Sequence, residues 1–337
     1  MNQPETNPDA PLPRPSTFPD GLRVQVQGFD DQQAADGLGE QLTALFVQMG
    51  RYFDIQRLDG VTIAIDYEEA LRSLDRGCAT RELAPSRGRT VGVAMTPSVL
   101  RDGVLKSHVF VDAAVFFGML KEDRYERAMQ LLAHECAHVE VNAHYDRCFP
   151  DTLLRTKYMN AQQGARSEVI LASWDEYAAC ALSAKRGENP EADYRETFLN
   201  DLADARERGN ECIKAYRLHS QVGQIVREIR EIYGGLMKHA AYYLGNAAGF
   251  GKSWRDDPAV AEALTEHWFL PFFERLETAL AALYAELGVW PNHDGFEVIG
   301  DIGEDLMCEG GMYFYDSPDH PGEVGVQLPL TPDTVPY

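Results

Sequence analysis

The 337-residue sequence predicts an α+β protein: a small sheet packed on a histidine-bearing helix, then a mainly helical C-terminal region. Three observations carry that expectation. Short β-branched runs alternate with helical-period stretches in the early part of the chain. A segment from Lys121 to Phe149 contains neither Pro nor Gly and holds two histidines four residues apart. From Tyr158 onward helical periodicity dominates, and no internal repeat is visible.

Taken in order, residues 1–20 are proline-rich with few apolar side chains and read as a disordered tail. Leu22–Val26 alternates as a strand does, and Ala34–Tyr52 carries Leu38, Leu42, Leu45, Phe46 and Met49 at helical spacing. Val61–Ile65 is a second strand, and Tyr67–Leu74 a short helix ended by Gly77. Arg81–Arg89, with Pro85 and Gly88, reads as a loop. Strands Thr90–Met95 and Ser107–Asp112 follow, separated by a turn around Arg101-Asp102-Gly103; the strand before the histidine helix is free to be an edge that faces a substrate. Ile170–Lys185 has an apolar stripe of Trp174, Tyr177, Ala178, Ala181 and Leu182, stopped by Gly187 and Pro190. Tyr194–Gly249 reads as long helices with a break near Gly234-Gly235, and Pro258–Leu287 as one or two more, bent near Pro271. The organisation expected is a domain over 21–190, a helical region over 191–292 and an irregular segment over 293–337.

Composition removes several function classes. Lys plus Arg number 31 against 53 Asp plus Glu, a formal net charge of -22, so phosphate backbones would repel the chain and nucleic acid is excluded as a partner. No apolar run approaches the ~18 residues of a membrane span, and the N-terminus lacks the basic and apolar regions of a signal peptide, which points to a cytoplasmic protein with no membrane partner. Six cysteines are scattered without a C-x-x-C pair, which argues against a disulfide framework and a cysteine-built metal site.

Within Tyr125–His144 stands His134-Glu135-Cys136-Ala137-His138, an H-E-x-x-H. On a helix, residues four apart share a face, so both imidazoles can hold one ion from one side. Glu135 is rotated beside that ion, the place for a general base acting on metal-bound water. Such a pattern arises by accident in on the order of a few per cent of chains this long. The competing reading is a pair of core histidines satisfied by hydrogen bonds. Apolar or small neighbours on most of the helix circumference favour a buried zinc site, because buried imidazoles need partners.

A hydrolytic zinc site takes three protein ligands and keeps one position for water. Glu176, on the next predicted helix, is the favoured third ligand; His144, Asp175 and Glu168 are the alternatives. His144 has the spacing of the metzincin pattern H-E-x-x-H-x-x-G-x-x-H, but Val141 stands at the turn glycine. If the helix continues, His144 lies about 15 Å along the axis from His134. Tyr242, Tyr243 and His239 are candidates for an oxyanion donor, although Tyr at helical spacing is more often core.

His134, Glu135 and His138, followed by Trp174-x-Glu176-Tyr177-x-Ala179, resemble the gluzincin branch of the zincin metallopeptidases, including compact ImmA- and IrrE-like forms. The resemblance covers roughly residues 22–187. It implies a zincin-like sheet on the H-E-x-x-H helix, one catalytic zinc ion on His134, His138 and Glu176 with Glu135 as base, hydrolysis of a peptide or protein, and an edge strand holding the substrate extended. The helical portion from Arg195 on lies outside it, and no helix-turn-helix is visible. Two other readings stand beside it. One is an inactive zincin-fold protein serving as a regulatory or protein-binding module, which a closed site with a fourth protein ligand would favour. The other is a helical interaction protein with ordinary core histidines.

Overall fold

A computed structural model describes residues 14–80, 82–85, 92–122, 124–317 and 323–336. Its architecture is mixed α+β. Five strands form one sheet: β1 (Val24–Gln27), β2 (Leu58–Ala64), β3 (Ala94–Met95), β4 (Ser98–Arg101) and β5 (Val104–Asp112). β1, β2 and β5 run parallel in that order, and β3 and β4 both pair antiparallel with the far side of β5. The two short strands keep one register, Met95 opposite Phe110 and Ser98 opposite Ser107. They are one edge strand interrupted at Pro97, which has no N–H to give the ladder. The Pro97 carbonyl still accepts from His108 N at 3.0 Å, so the sheet holds across the break.

Two expectations change here. β5, the strand before the histidine helix, has neighbours on both sides and is no edge; the edge is β3, one strand earlier in the chain. β4 was not foreseen as a strand, although the turn after it is real, with Asp102 and Gly103 both at positive φ. Positions 90 and 91 of the predicted strand Thr90–Met95, and most of the loop expected over 81–89, lie outside the described residues.

Side chains alternate across the sheet as the pleat requires. Val61, Ile63, Val109 and Val111 face α1 (Gln32–Met49) and α4 (Tyr125–Cys148) in one apolar core, to which α3 (Ala113–Lys121) adds Phe116. Ala64 and Phe110 face α2 (Tyr67–Arg72) on the opposite side. A second, larger core joins Val141 and Tyr145 of α4 to α5 (Ala161–Ser183), α6 (Glu191–His219), α7 (Val222–Phe250), α8 (Pro258–Leu264), α9 (Leu270–Ala285) and α10 (Asp294–Glu309). The histidine helix thus lies between the two cores.

α7 runs unbroken through Gly234-Gly235, against the expected break. Its glycines serve packing instead. A Cβ on Gly245 would stand 2.3 Å from the Tyr177 carbonyl oxygen, and one on Gly249 would stand 2.6 Å from that of Ala181, so only glycine lets α7 lie this close to α5. Lys238 and Tyr242 precede Gly245 and Gly249 at helical spacing on the same face, which aims them at α5. Pro271 does not bend a helix; it sits in the first turn of α9, where its missing N–H costs nothing.

The end of the chain is also more regular than expected. Residues 293–337 contain α10, with Phe296, Ile299, Ile302 and Leu306 buried, and a hairpin of β6 (Tyr313–Asp316) and β7 (Val324–Gln327). Arg217 secures the following segment by donating to the Pro329 and Thr334 carbonyls, each at 2.8 Å. At the other end, Thr17 Oγ1 donates to the Phe53 carbonyl at 2.7 Å and Ser16 Oγ to that of Val47 at 2.7 Å, so 14–20 is no loose tail; residues 1–13 lie outside the description. All six cysteines are free thiols. No helix among the described residues is long and apolar enough to cross a membrane.

Candidate metal centre

The middle of α4 is buried, Leu132, Ala133, Cys136, Ala137 and Val139 facing the sheet core. His134, Glu135 and His138 are buried as well, at 7, 4 and 7% exposure. Helical spacing places the two imidazoles on one face, edge to face, and their Nε2 atoms stand 3.1 Å apart. α5 returns alongside and presents Glu176, whose Oε2 lies 3.4 Å from each Nε2. These edges match a metal triangle. Zn–N and Zn–O distances of ~2.0–2.1 Å in tetrahedral geometry separate ligand atoms by about 3.4 Å. Glu176 Oε2 is fully buried and receives no hydrogen bond, an arrangement that costs stability unless a cation sits among these lone pairs.

Second contacts hold each ligand in place. Lys238 Nζ lies 3.0 Å from Glu176 Oε1, which occupies that oxygen and leaves Oε2 for the triangle. Asp175 Oδ1 stands 3.0 Å from His138 Nδ1, close enough for charge to orient the ring although the approach is too bent for a good hydrogen bond. Cys180 Sγ is 3.9 Å from His134 Nδ1, and the Tyr242 ring stacks on His134 at 5.9 Å. Burial by itself pushes the Glu176 carboxyl up, but the Lys238 ammonium and then the two imidazoles pull it well below the usual carboxylate range. Lys238 is raised in return, chiefly by Glu176. Burial and, after it, the Glu176 charge keep the Tyr242 phenol protonated far above its ordinary range.

Glu135 takes no part in the triangle. Its oxygen, with one nitrogen from each imidazole, falls in a group spanning no more than 4.8 Å, while its Oε2 accepts from Thr96 Oγ1 at 2.6 Å. Thr96 sits at the break of the edge strand, just before Pro97, so the interruption in the ladder delivers a hydroxyl to α4. A cavity of about 460 Å³ opens over the group, with Gly92–Pro97 along one side, Met119 and Leu131 as apolar wall, and His239 and Tyr242 opposite.

The other predicted candidates fall elsewhere. The helix continues through Val141, and His144 leaves the site: its Nε2 is 3.6 Å from Glu140 Oε1, and its ring packs where a side chain on Gly288 would stand. Glu168 pairs with Arg230. Of the aromatic candidates, Tyr242 lines the cavity while Tyr243 is core, its hydroxyl donating to Asp257 Oδ2 at 3.2 Å. His239 also lines the cavity, with Nδ1 on Asp201. Thr96 and Lys238 were missed. Lys238 could have been flagged as a cation inside the otherwise apolar face that carries Tyr242; nothing in the sequence around Thr96 marks it. Compared with protein-family models, with curated proteins and with solved structures, the chain matches none.

Proposed function

We propose that the chain is a zinc-dependent metallopeptidase of zincin-like, gluzincin-type build, hydrolysing a peptide or protein. The observation that carries this reading is Glu176 Oε2, buried and without a donor, completing a triangle of 3.1 and 3.4 Å edges with the His134 and His138 Nε2 atoms beneath an open cavity. His134, His138 and Glu176 would hold the ion, which when bound supplies Lewis-acid polarisation of water and of the substrate carbonyl. Glu135, fixed by Thr96, accepts the proton of the attacking water and returns it to the leaving amine. Tyr242, which lines the cavity, is the phenol placed to donate to the developing oxyanion. The free side of β3 offers backbone donors and acceptors to an extended chain. The open reading is favoured over a closed structural site because Asp175 faces the outer nitrogen of His138, His144 lies away, and Glu135, the other carboxylate near the imidazoles, is held by Thr96.

Zinc-loaded wild type and Glu135→Gln decide the matter on a peptide pool. Both should bind one zinc ion, and the variant should lose hydrolysis by about 10²- to 10⁴-fold. Equal cleavage by the two proteins removes the catalytic role of Glu135, and failure of wild type to retain zinc removes the metal site.

A further inference from the structure

One cation on the cavity wall stands apart from the others. Among the described lining residues, Glu135, Asp175, Glu176 and Asp193 oppose Arg76, Arg127 and Lys238, so a divalent ion leaves this cavity with one excess positive charge in a chain of net charge -22. Lys238 is committed to Glu176, and Arg127 to Asp193 and Glu188. Arg76 has no carboxylate partner among the described residues. Its Nε donates to the Ser98 carbonyl at 3.0 Å, and no described acceptor meets the two terminal nitrogens. Burial pulls this guanidinium below its usual value, with only the Cys78 thiol opposing, so the group is partly stripped of water without an anion to compensate. Arg101, farther along the same edge, shows the ordinary arrangement here, with a two-pronged grip on Asp59 at 3.0 and 2.9 Å.

The placement of Arg76 is built. Its carbonyl accepts from Leu100 N at 2.9 Å, and Gly77, at φ +70°, lies so near the Leu100 carbonyl that a Cβ would stand 2.1 Å from that oxygen. The Arg76-Gly77 segment therefore covers the outer edge of β4, and no described strand pairs with the outer edge of β3. The guanidinium stands where the uncovered edge stops.

Resting on the peptidase reading above, we propose that this cavity takes substrates carrying a carboxylate close to the scissile amide, and that Arg76 is the residue that binds it. A planar fork whose two terminal nitrogens meet no described acceptor fits a carboxylate, whether an Asp or Glu side chain or a free C-terminus.

The test uses one peptide core in matched forms: Glu against Gln at each position, and free against amidated C-terminus. Zinc-loaded wild type should favour one carboxylate form by about 10- to 100-fold in kcat/KM, and the favoured series says which source of carboxylate the site reads. In Arg76→Met the ratio should fall toward one, and Arg76→Lys should recover part of it. Calorimetric binding of the same peptides to zinc-loaded Glu135→Gln separates this proposal from the functional reading, because it needs no turnover. Carboxylate-dependent binding that Arg76→Met abolishes supports the Arg76 site even if no peptide is cleaved. Equal handling of acid and amide forms by wild type, or a preference that survives in a folded Arg76→Met, overturns it.

Discussion

Two of the clusters that combine histidine with carboxylate differ in whether they are closed. On the sheet, His108 Nε2 meets Thr62 Oγ1 at 2.9 Å, its Nδ1 stands 3.5 Å from Asp59 Oδ2, and Arg101 grips Asp59 with two nitrogens. Gly60 gives the ring its room, since a Cβ there would lie 2.4 Å from His108 Cε1, and Phe110 stacks on it at 4.5 Å. The cluster on α4 and α5 is left open: Glu176 Oε2, His138 Nδ1 and Asp175 Oδ1 are buried without hydrogen-bond partners, and the group faces a cavity. Histidine beside carboxylate is therefore no sign of a site in itself. What distinguishes the second cluster is that the His134 and His138 Nε2 atoms and Glu176 Oε2 converge on one point beside an open cavity, an arrangement that suits a guest cation.

Removing members of each cluster should separate the two roles. Glu176→Ala should weaken zinc binding by more than about 100-fold, beyond what loss of an outer contact does, whereas His144→Ala should change it by less than about 2-fold because that ring lies outside the triangle. Competition with a chromophoric chelator measures both, and similar losses would return the assignment to the metzincin-like alternative. Asp175→Asn should follow with about 10- to 100-fold weaker zinc binding, as expected for a residue that orients a ligand. An unchanged dissociation constant would show that its contact with His138 is incidental. Asp59→Ala, in the closed cluster, should cost about 1–3 kcal/mol in urea unfolding and leave zinc content unchanged. A metal defect there would erase the distinction between the clusters.

The open cluster was legible on one side only. H-E-x-x-H on an uninterrupted helix and an acidic residue on the following apolar helix suffice to bring His134, His138 and Glu176 together, because consecutive helices pack side by side. α4 continues through Val141 into the larger core, which carries His144 away from His134 and His138. The opposite wall was hidden. Lys238 and Tyr242 reach Glu176 only because Gly245 and Gly249 let α7 approach α5, a close contact that glycines within a helical pattern do not announce. Thr96 was invisible for a related reason: its role follows from an edge strand interrupted by Pro97, and the strand beyond that proline did not announce itself by alternation. α10 was lost in a stretch whose many Gly and Asp residues mask a buried row of Phe296, Ile299, Ile302 and Leu306. Periodicity exposes what one element does; it does not show which distant element will cover it.

The smallest expected effect concerns protons. Burial holds the His108 imidazole below its ordinary value, with Asp59 opposing less strongly, and Thr62 is placed to pair with the neutral ring. The unfolded chain, with its histidines near pH 6.5, therefore takes up this proton before the folded protein does. Stability from this group is complete above about pH 6.5 and is lost as pH falls toward and through the lower folded value. His108→Gln removes the titration, so the stability advantage of wild type over the variant should shrink between about pH 8 and about pH 5. Both proteins should be stripped of metal with a chelator before urea unfolding, so that protons taken up by the open cluster are common to the two and cancel in the difference. A difference that stays flat or grows on acidification would mean that Asp59 holds His108 charged in the folded state, and His108 would then be a second cation on Asp59 beside Arg101 rather than a neutral ring in a closed network.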